Sequence, residues 1–172
     1  MKYLLLVRHG EYDEDNGSLN KYGIGQIDRL IESLKEKIKF DSGYVITSPI
    51  KRAVESSEII SKGLRITEPV EQVLYLSDAG SYPKKWNGKE VKSCDVYYYE
   101  GDNSKVMKII EDRKEKAELI VIVGHKDIIP NFARFFYKDL TRKDPDREFH
   151  VRYGEGLLFD IEKKSFEKIS QV

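Results

Sequence analysis

The chain has 172 residues, enough for one three-layer domain whose core needs neither disulfides nor metals. Thirty basic residues balance thirty acidic ones, so no net field recommends nucleic acid or an anionic membrane as the main partner, and any anion site has to be local. A single cysteine, Cys94, excludes an internal disulfide; no apolar run approaches bilayer length, and the opening one is broken by Arg8, so a cytoplasmic protein is expected.

In chain order, a strand is predicted at 3–7, where Leu4-Leu5-Leu6-Val7 runs straight into Arg8-His9-Gly10-Glu11. A helix follows at 20–38, with Asn20 at its N-cap and Ile27, Leu30, Ile31 and Leu34 as its apolar stripe. A second strand at 43–47 leads through Thr47-Ser48-Pro49-Ile50-Lys51-Arg52-Ala53 into a helix at 50–62. Then come a short strand near 70–74, a helix at 104–116, a strand at 119–123 that closes on Val123-Gly124-His125, and a helix at 127–137. From residue 150 onward the pattern changes: Leu157-Leu158-Phe159-Asp160-Ile161 and Ser165-Phe166-Glu167-Lys168-Ile169, joined around Lys163-Lys164, read as a hairpin at a sheet edge. Such alternation predicts an α/β fold, a three-layer α/β/α sandwich with a mostly parallel central sheet and a C-terminal edge hairpin, all within one domain spanning 1–172.

Three predicted strand ends each offer an arginine or a histidine, and a parallel sheet brings such ends to one edge, where open α/β sheets hold their ligands. A guanidinium matches the oxygens of a phosphate, and a neutral imidazole nitrogen can attack phosphorus without first losing a proton. His9 is therefore the candidate nucleophile, with Arg8 and Arg52 holding the non-bridging oxygens. The blander reading makes His9 a satisfied buried histidine and the arginines structural ion-pair partners.

Val7-Arg8-His9-Gly10-Glu11, Leu19-Asn20-Lys21-Tyr22-Gly23-Ile24-Gly25-Gln26, Ser48-Pro49-Ile50-Lys51-Arg52-Ala53 and Val123-Gly124-His125 together resemble the histidine phosphatase superfamily, the phosphoglycerate mutase-like proteins. The resemblance implies a phosphohistidine intermediate on His9 and no cofactor. It makes His125 the second histidine, donating to a phosphoryl oxygen in its protonated form. It also puts phosphate and substrate contacts on the first loop, at Glu11, Asn16 and Ser18, although Asn16 sits one place beyond the usual asparagine and is equally readable as a turn former. Gly10 either lets the backbone approach the phosphate or simply turns the chain. Ser48 either supports His9 by a hydrogen bond or caps the following helix. Lys51 is read as exposed and His150 as a surface or hairpin residue. No metal site is expected, since the histidines lie far apart without a helix-spaced pair or a cysteine cluster.

The resemblance also exposes a gap. Many members carry a glutamate as general acid two residues after a leucine and four before a glycine; in Leu74-Tyr75-Leu76-Ser77-Asp78-Ala79-Gly80 that place is held by Leu76. Asp78 is the nearest replacement by register, and Asp127 the nearest to the second histidine, though Asp127 is equally an N-cap. Residues 76–102, with Tyr82, Trp86 and Tyr97-Tyr98-Tyr99, form either a lid or rim that selects substrate or an ordinary covering loop. The expected activity is a phosphatase acting on phosphomonoesters or phosphohistidine, similar to the short phosphohistidine phosphatases, with a phosphorylated small molecule or a phosphoprotein as partner. A mutase-like phosphotransferase and a non-catalytic phosphate- or phosphoprotein-binding module are the alternatives, and the oligomeric state is not legible.

Overall fold

A computed structural model describes residues 1–78, 80–96, 103–146 and 149–170. Strands β1 (Tyr3–Arg8), β2 (Gly43–Thr47), β3 (Glu71–Gln72) and β6 (Leu119–Gly124) run parallel, and β7 (Gly156–Asp160) and β8 (Ser165–Ile169) complete the same sheet in the order β3-β2-β6-β1-β7-β8. β7 lies antiparallel to β1 and β8 antiparallel to β7, so the predicted hairpin forms one edge. A separate small ribbon joins β4 (Lys85–Trp86) to β5 (Lys89–Glu90).

Strand alternation divides the core in two. Leu5 and Val7 of β1 pack with Val121 and Val123 beneath α1 (Lys21–Lys37) and α2 (Lys51–Gly63), where Leu30 and Ile60 are fully buried. Leu4 and Leu6 point to the opposite face, with Ile120 and Ile122, beneath α4 (Asn103–Glu111) and α5 (Ile128–Thr141). The central strands β1, β2 and β6 are thus apolar on both sides, as a sheet covered by helices requires, whereas the edge strand β8 buries chiefly Ile169. The expected α/β/α sandwich is the observed one.

Asn20 caps α1 as expected, its side chain accepting the Gly23 N–H at 2.8 Å. Pro130 is tolerated in the first turn of α5 because its missing N–H would have had no partner inside the helix.

Two predicted boundaries need correction. The strand near 70–74 shrinks to Glu71–Gln72 before a single 3-10 turn at Leu74–Leu76. The helix expected to reach 116 ends at Glu111, since the run of Glu, Asp, Lys and Arg that follows carries no apolar stripe to hold it on the sheet. Sequence periodicity also missed the short helix α3 (Ser93–Val96). Of the expected lid or rim, Tyr97, Tyr98 and Tyr99 lie outside the described residues. No helix among the described residues is long and apolar enough to cross a membrane.

Candidate active site

The sheet register assembles the site. Arg8 at the end of β1 pairs with Gly124 at the end of β6, and Thr47 at the end of β2 pairs with Val123. One residue further along each strand stand His9, Ser48 and His125. The helix after β1 lies on one face of the sheet and the helix after β6 on the other, so the two connections diverge and open a crevice between neighbouring strands.

His9 occupies that crevice almost enclosed, with 3% of its surface exposed. Its Nδ1 lies 2.8 Å from the Gly10 carbonyl oxygen, which can only accept, so Nδ1 carries the proton. Nε2 is then the lone-pair nitrogen, and it accepts the Arg52 Nε–H at 3.1 Å. Burial first, and then the field of His125 and the two guanidinium groups, holds His9 down at about 2. The ring is therefore a neutral base whose reactive nitrogen is selected by its backbone partner.

His125 stands beside it, ring centroids 5.1 Å apart. Its Nε2 lies 2.7 Å from Ser48 Oγ, while its Nδ1 is buried without a hydrogen-bond partner. Ser48 thus supports the second histidine and not His9, and it caps no helix: α2 starts without a side-chain cap, and Ser48 merely accepts the Ile50 N–H at 3.4 Å. The expected protonated form of His125 belongs to the phosphate-bound site. Burial first, then Arg52 and Arg8, holds it down at about 3, so in the ligand-free site it is neutral.

Arg52 is buried in the first turn of α2, and Arg8 reaches its place from the end of β1. Arg8 Nη1 donates to the Val151 carbonyl at 3.3 Å, and its Nε is buried without a partner. Lys51, next in sequence to Arg52, is exposed as expected.

Two tyrosines that the sequence did not mark complete the walls. Tyr12 and Tyr153 lie 5.5 and 5.4 Å from His9 by ring centroid. The Arg52 guanidinium sits 4.4 Å over the Tyr12 ring and that of Arg8 3.8 Å over Tyr153, stacking that suits a planar cation on an aromatic face. Tyr153 was legible only through topology: because β7 is antiparallel to β1, its start lies at the end of β1, and Gly154 N–H bonds the carbonyls of Arg8 and His9.

The outer residues divide. Asp78 comes to the site, with Oδ2 3.9 Å from Arg52 Nη2 and its side chain 43% exposed, whereas Leu76 is fully buried in the core. Asp127 holds the cap position of α5 without making a cap bond, and opens on a neighbouring cleft. Glu11 accepts from Asn20 Nδ2 at 3.1 Å, tying the loop to α1. Asn16 is exposed and bonds Asp13 and the Ser18 N–H, the turn-forming arrangement.

Gly10 serves packing. A Cβ there would meet the Gly23 carbonyl oxygen at 2.5 Å, and one on Gly23 would meet the Glu11 oxygen at 1.9 Å. The Gly10 N–H is taken by Ser56 Oγ at 3.1 Å, and the Ser56 hydroxyl donates to the Arg52 carbonyl at 2.7 Å. Ser56, also unmarked by sequence, thereby ties the first strand end to the second helix. Among the described residues no group of His, Cys, Asp and Glu is arranged to hold a metal ion.

The arrangement is a local positive site: two guanidiniums around two neutral imidazoles, one with its Nε2 lone pair fixed by the hydrogen bonds on the ring. The family model for the histidine phosphatase superfamily, branch 1, matches residues 4–92. Similar solved structures include the protein histidine phosphatase SixA complexed with tungstate (14% identity, TM-score 0.60, 98% of this chain and 97% of that one). The alpha-ribazole phosphatase from Shigella flexneri is similar at 16% identity and TM-score 0.59, over 99% of this chain and 96% of that one. So is phosphoserine phosphatase from Entamoeba histolytica in complex with 3-phosphoglyceric acid, at 17% identity and TM-score 0.57, over 99% and 96%. At these identities the likeness is one of fold. No curated protein sequence matches the chain.

Proposed function

This chain belongs to the histidine phosphatase superfamily, and on that premise we propose that it is a phosphatase working through a phosphoryl group carried transiently on His9 Nε2. The observation that supports this best is the pair of bonds on the His9 ring, Nδ1 to the Gly10 carbonyl and Nε2 to Arg52, which leaves a lone pair at one defined nitrogen. In the first step Nε2 bonds to phosphorus as the bond to the leaving group breaks; in the second, water attacks phosphorus and Nε2 departs with its lone pair restored. Arg52, shifting from Nε2 onto a phosphoryl oxygen, and Arg8 would hold the charge that spreads over the equatorial oxygens. His125 is the third donor, since the arriving phosphate offsets the field of Arg52 and Arg8, which adds to burial in keeping it neutral when the site is empty.

The leaving group needs a proton unless it departs as a stable anion. Asp78 is the candidate acid because its carboxylate reaches the site beside Arg52, whereas Asp127 has no such contact. A phosphorylated small molecule fits the enclosed crevice better than a flat protein surface does, since His9 is so little exposed.

The deciding experiment is hydrolysis of p-nitrophenyl phosphate, with acid-labile, base-stable labelling of the protein in a quenched reaction. His9→Ala is expected to lose turnover and label together. Turnover at the wild-type rate in His9→Ala would end this reading.

A further inference from the structure

Behind Arg8, on the α5 side of the sheet, lies a cleft of about 870 Å³ that contains neither His9 nor Arg52. Its size falls within the range of about 300–1,000 Å³ usual for small-molecule sites. The cations Arg8, Lys126, Arg134 and Arg152 outnumber its carboxylates, Asp127 and Asp146. Lys168, at the rim of the cleft, is bound to Glu155 at 2.6 Å. The other cations of the lining, Lys126, Arg134 and Arg152, form no salt bridge among the described residues, so their charge is not offset by a carboxylate in direct contact.

Unpaired cations of one sign along the walls of a concavity focus the potential into it. Two further features point the same way. The first turn of α5 contributes Pro130 and Asn131 to the lining, adding the positive end of a 14-residue helix. Arg8 belongs to both sites, and its Nε is a buried donor with no partner. A ligand with one anionic group in the crevice and a second in the cleft would meet a continuous run of donors with Arg8 at the junction.

Resting on the phosphatase reading, we propose that the cleft is a second anion site that receives the distal carboxylate or phosphate of a small phosphorylated substrate. Monoesters without a second anionic group would then be handled by the crevice alone. The cleft would supply binding away from the reacting phosphorus, which is the part of recognition that sets specificity.

The test compares competitive inhibitors of p-nitrophenyl phosphate hydrolysis at constant ionic strength: inorganic phosphate, tripolyphosphate with a distal phosphate, and 3-phosphonopropionate with a distal carboxylate. In the wild type, at least one of the two-anion probes is expected to bind about tenfold or more tighter than phosphate, the gain expected from added charge-assisted contacts. The double variant Arg134→Gln, Arg152→Gln should lose most of that gain while its kcat/KM for p-nitrophenyl phosphate and its affinity for phosphate stay within about twofold of wild type. Which probe gains tells whether the distal group is a phosphate or a carboxylate. No gain for either probe, or a gain preserved in the double variant, overturns the proposal. So does tight binding confined to a phosphopeptide with acidic flanks, which would assign the cleft to a protein partner. If p-nitrophenyl phosphate is not turned over at all, the catalytic reading falls, and the same affinities measured by titration calorimetry still decide the cleft.

Discussion

Arg52 donates its Nε–H to His9 Nε2 at 3.1 Å, so in the ligand-free protein a guanidinium covers the lone pair that the proposed chemistry requires. The contact holds the imidazole in the tautomer that the proposed attack needs, and on that mechanism it must be exchanged for a phosphoryl oxygen before the nitrogen can reach phosphorus. On the proposed mechanism Arg52 acts twice, first on the ring and then on the developing charge.

That double role makes a sharp prediction. Arg52→Ala should lower kcat for p-nitrophenyl phosphate by about two orders of magnitude or more, the scale for loss of a donor to developing negative charge. Arg52→Lys should recover little, because an ammonium reproduces neither the planar fork nor the stacking on Tyr12. Lys51→Ala should leave steady-state parameters within about threefold of wild type, as expected for an exposed side chain away from the site. Comparable damage from Lys51→Ala would mean that the wrong cation has been placed in the crevice.

The two histidines also link stability to pH. Both are held neutral in the folded protein, His9 at about 2 and His125 at about 3, with burial the first cause in each. In the unfolded chain a histidine protonates near ~6.5. Between that value and the folded ones the unfolded state binds more protons, so stability is fully present above pH ~6.5 and declines as the pH falls through this window. The slope is at most about 1.4 kcal/mol per pH unit for each histidine. Urea midpoints measured at pH 7 and 5.5, above the main carboxylate range, should fall accordingly, and His125→Asn should flatten the trend. A midpoint unchanged or rising toward pH 5.5 would show that these rings accept protons in the folded protein.

The fold was legible because its central strands β1, β2 and β6 are apolar on both faces and alternate in sequence with helices carrying an apolar stripe, a pattern that admits few arrangements. The histidines and arginines were legible for the same reason, each lying at or just beyond a strand end, or in the helix turn that follows. What stayed hidden depends on tertiary contact. Tyr153 is more than 140 positions from His9 in sequence and reaches it only because β7 folds back beside β1. Ser48 looked like a cap or a partner of His9, and only the β2-β6 register sends it to His125. Gly10 was read against a phosphate, whereas the crowding there is with Gly23.

The acid is tested by leaving group. If Asp78 delivers the proton, Asp78→Asn should slow alkyl phosphates by roughly a hundredfold or more and spare p-nitrophenyl phosphate, since general-acid help matters most for poor leaving groups. Asp127→Asn should not show that split, because its carboxylate opens on the cleft behind Arg8. Equal rates for Asp78→Asn and wild type on an alkyl phosphate that the wild type hydrolyses well would remove Asp78 from the mechanism.

Ser56 and Ser57 provide a matched pair for testing how His9 is held. Each is fully buried, and each donates its hydroxyl to the carbonyl four residues earlier at 2.7 Å, Ser56 to Arg52 and Ser57 to Ala53. They differ in one bond: Ser56 Oγ also accepts the Gly10 N–H, and Gly10 is the residue whose carbonyl orients the His9 ring. Ser56→Ala strands a buried backbone donor at a cost of about 1–3 kcal/mol, a penalty that Ser57→Ala avoids. The freed Gly10 peptide can then tilt and take the imidazole with it, so Ser56→Ala should lower kcat by about tenfold with KM near wild type, the signature of misaligned reacting atoms rather than lost binding. Ser57→Ala should keep kcat within about twofold, because removing its hydroxyl breaks only a bond within α2. Equal losses of kcat in the two variants would show that Ser56 merely stabilises α2 and does not position the nucleophile.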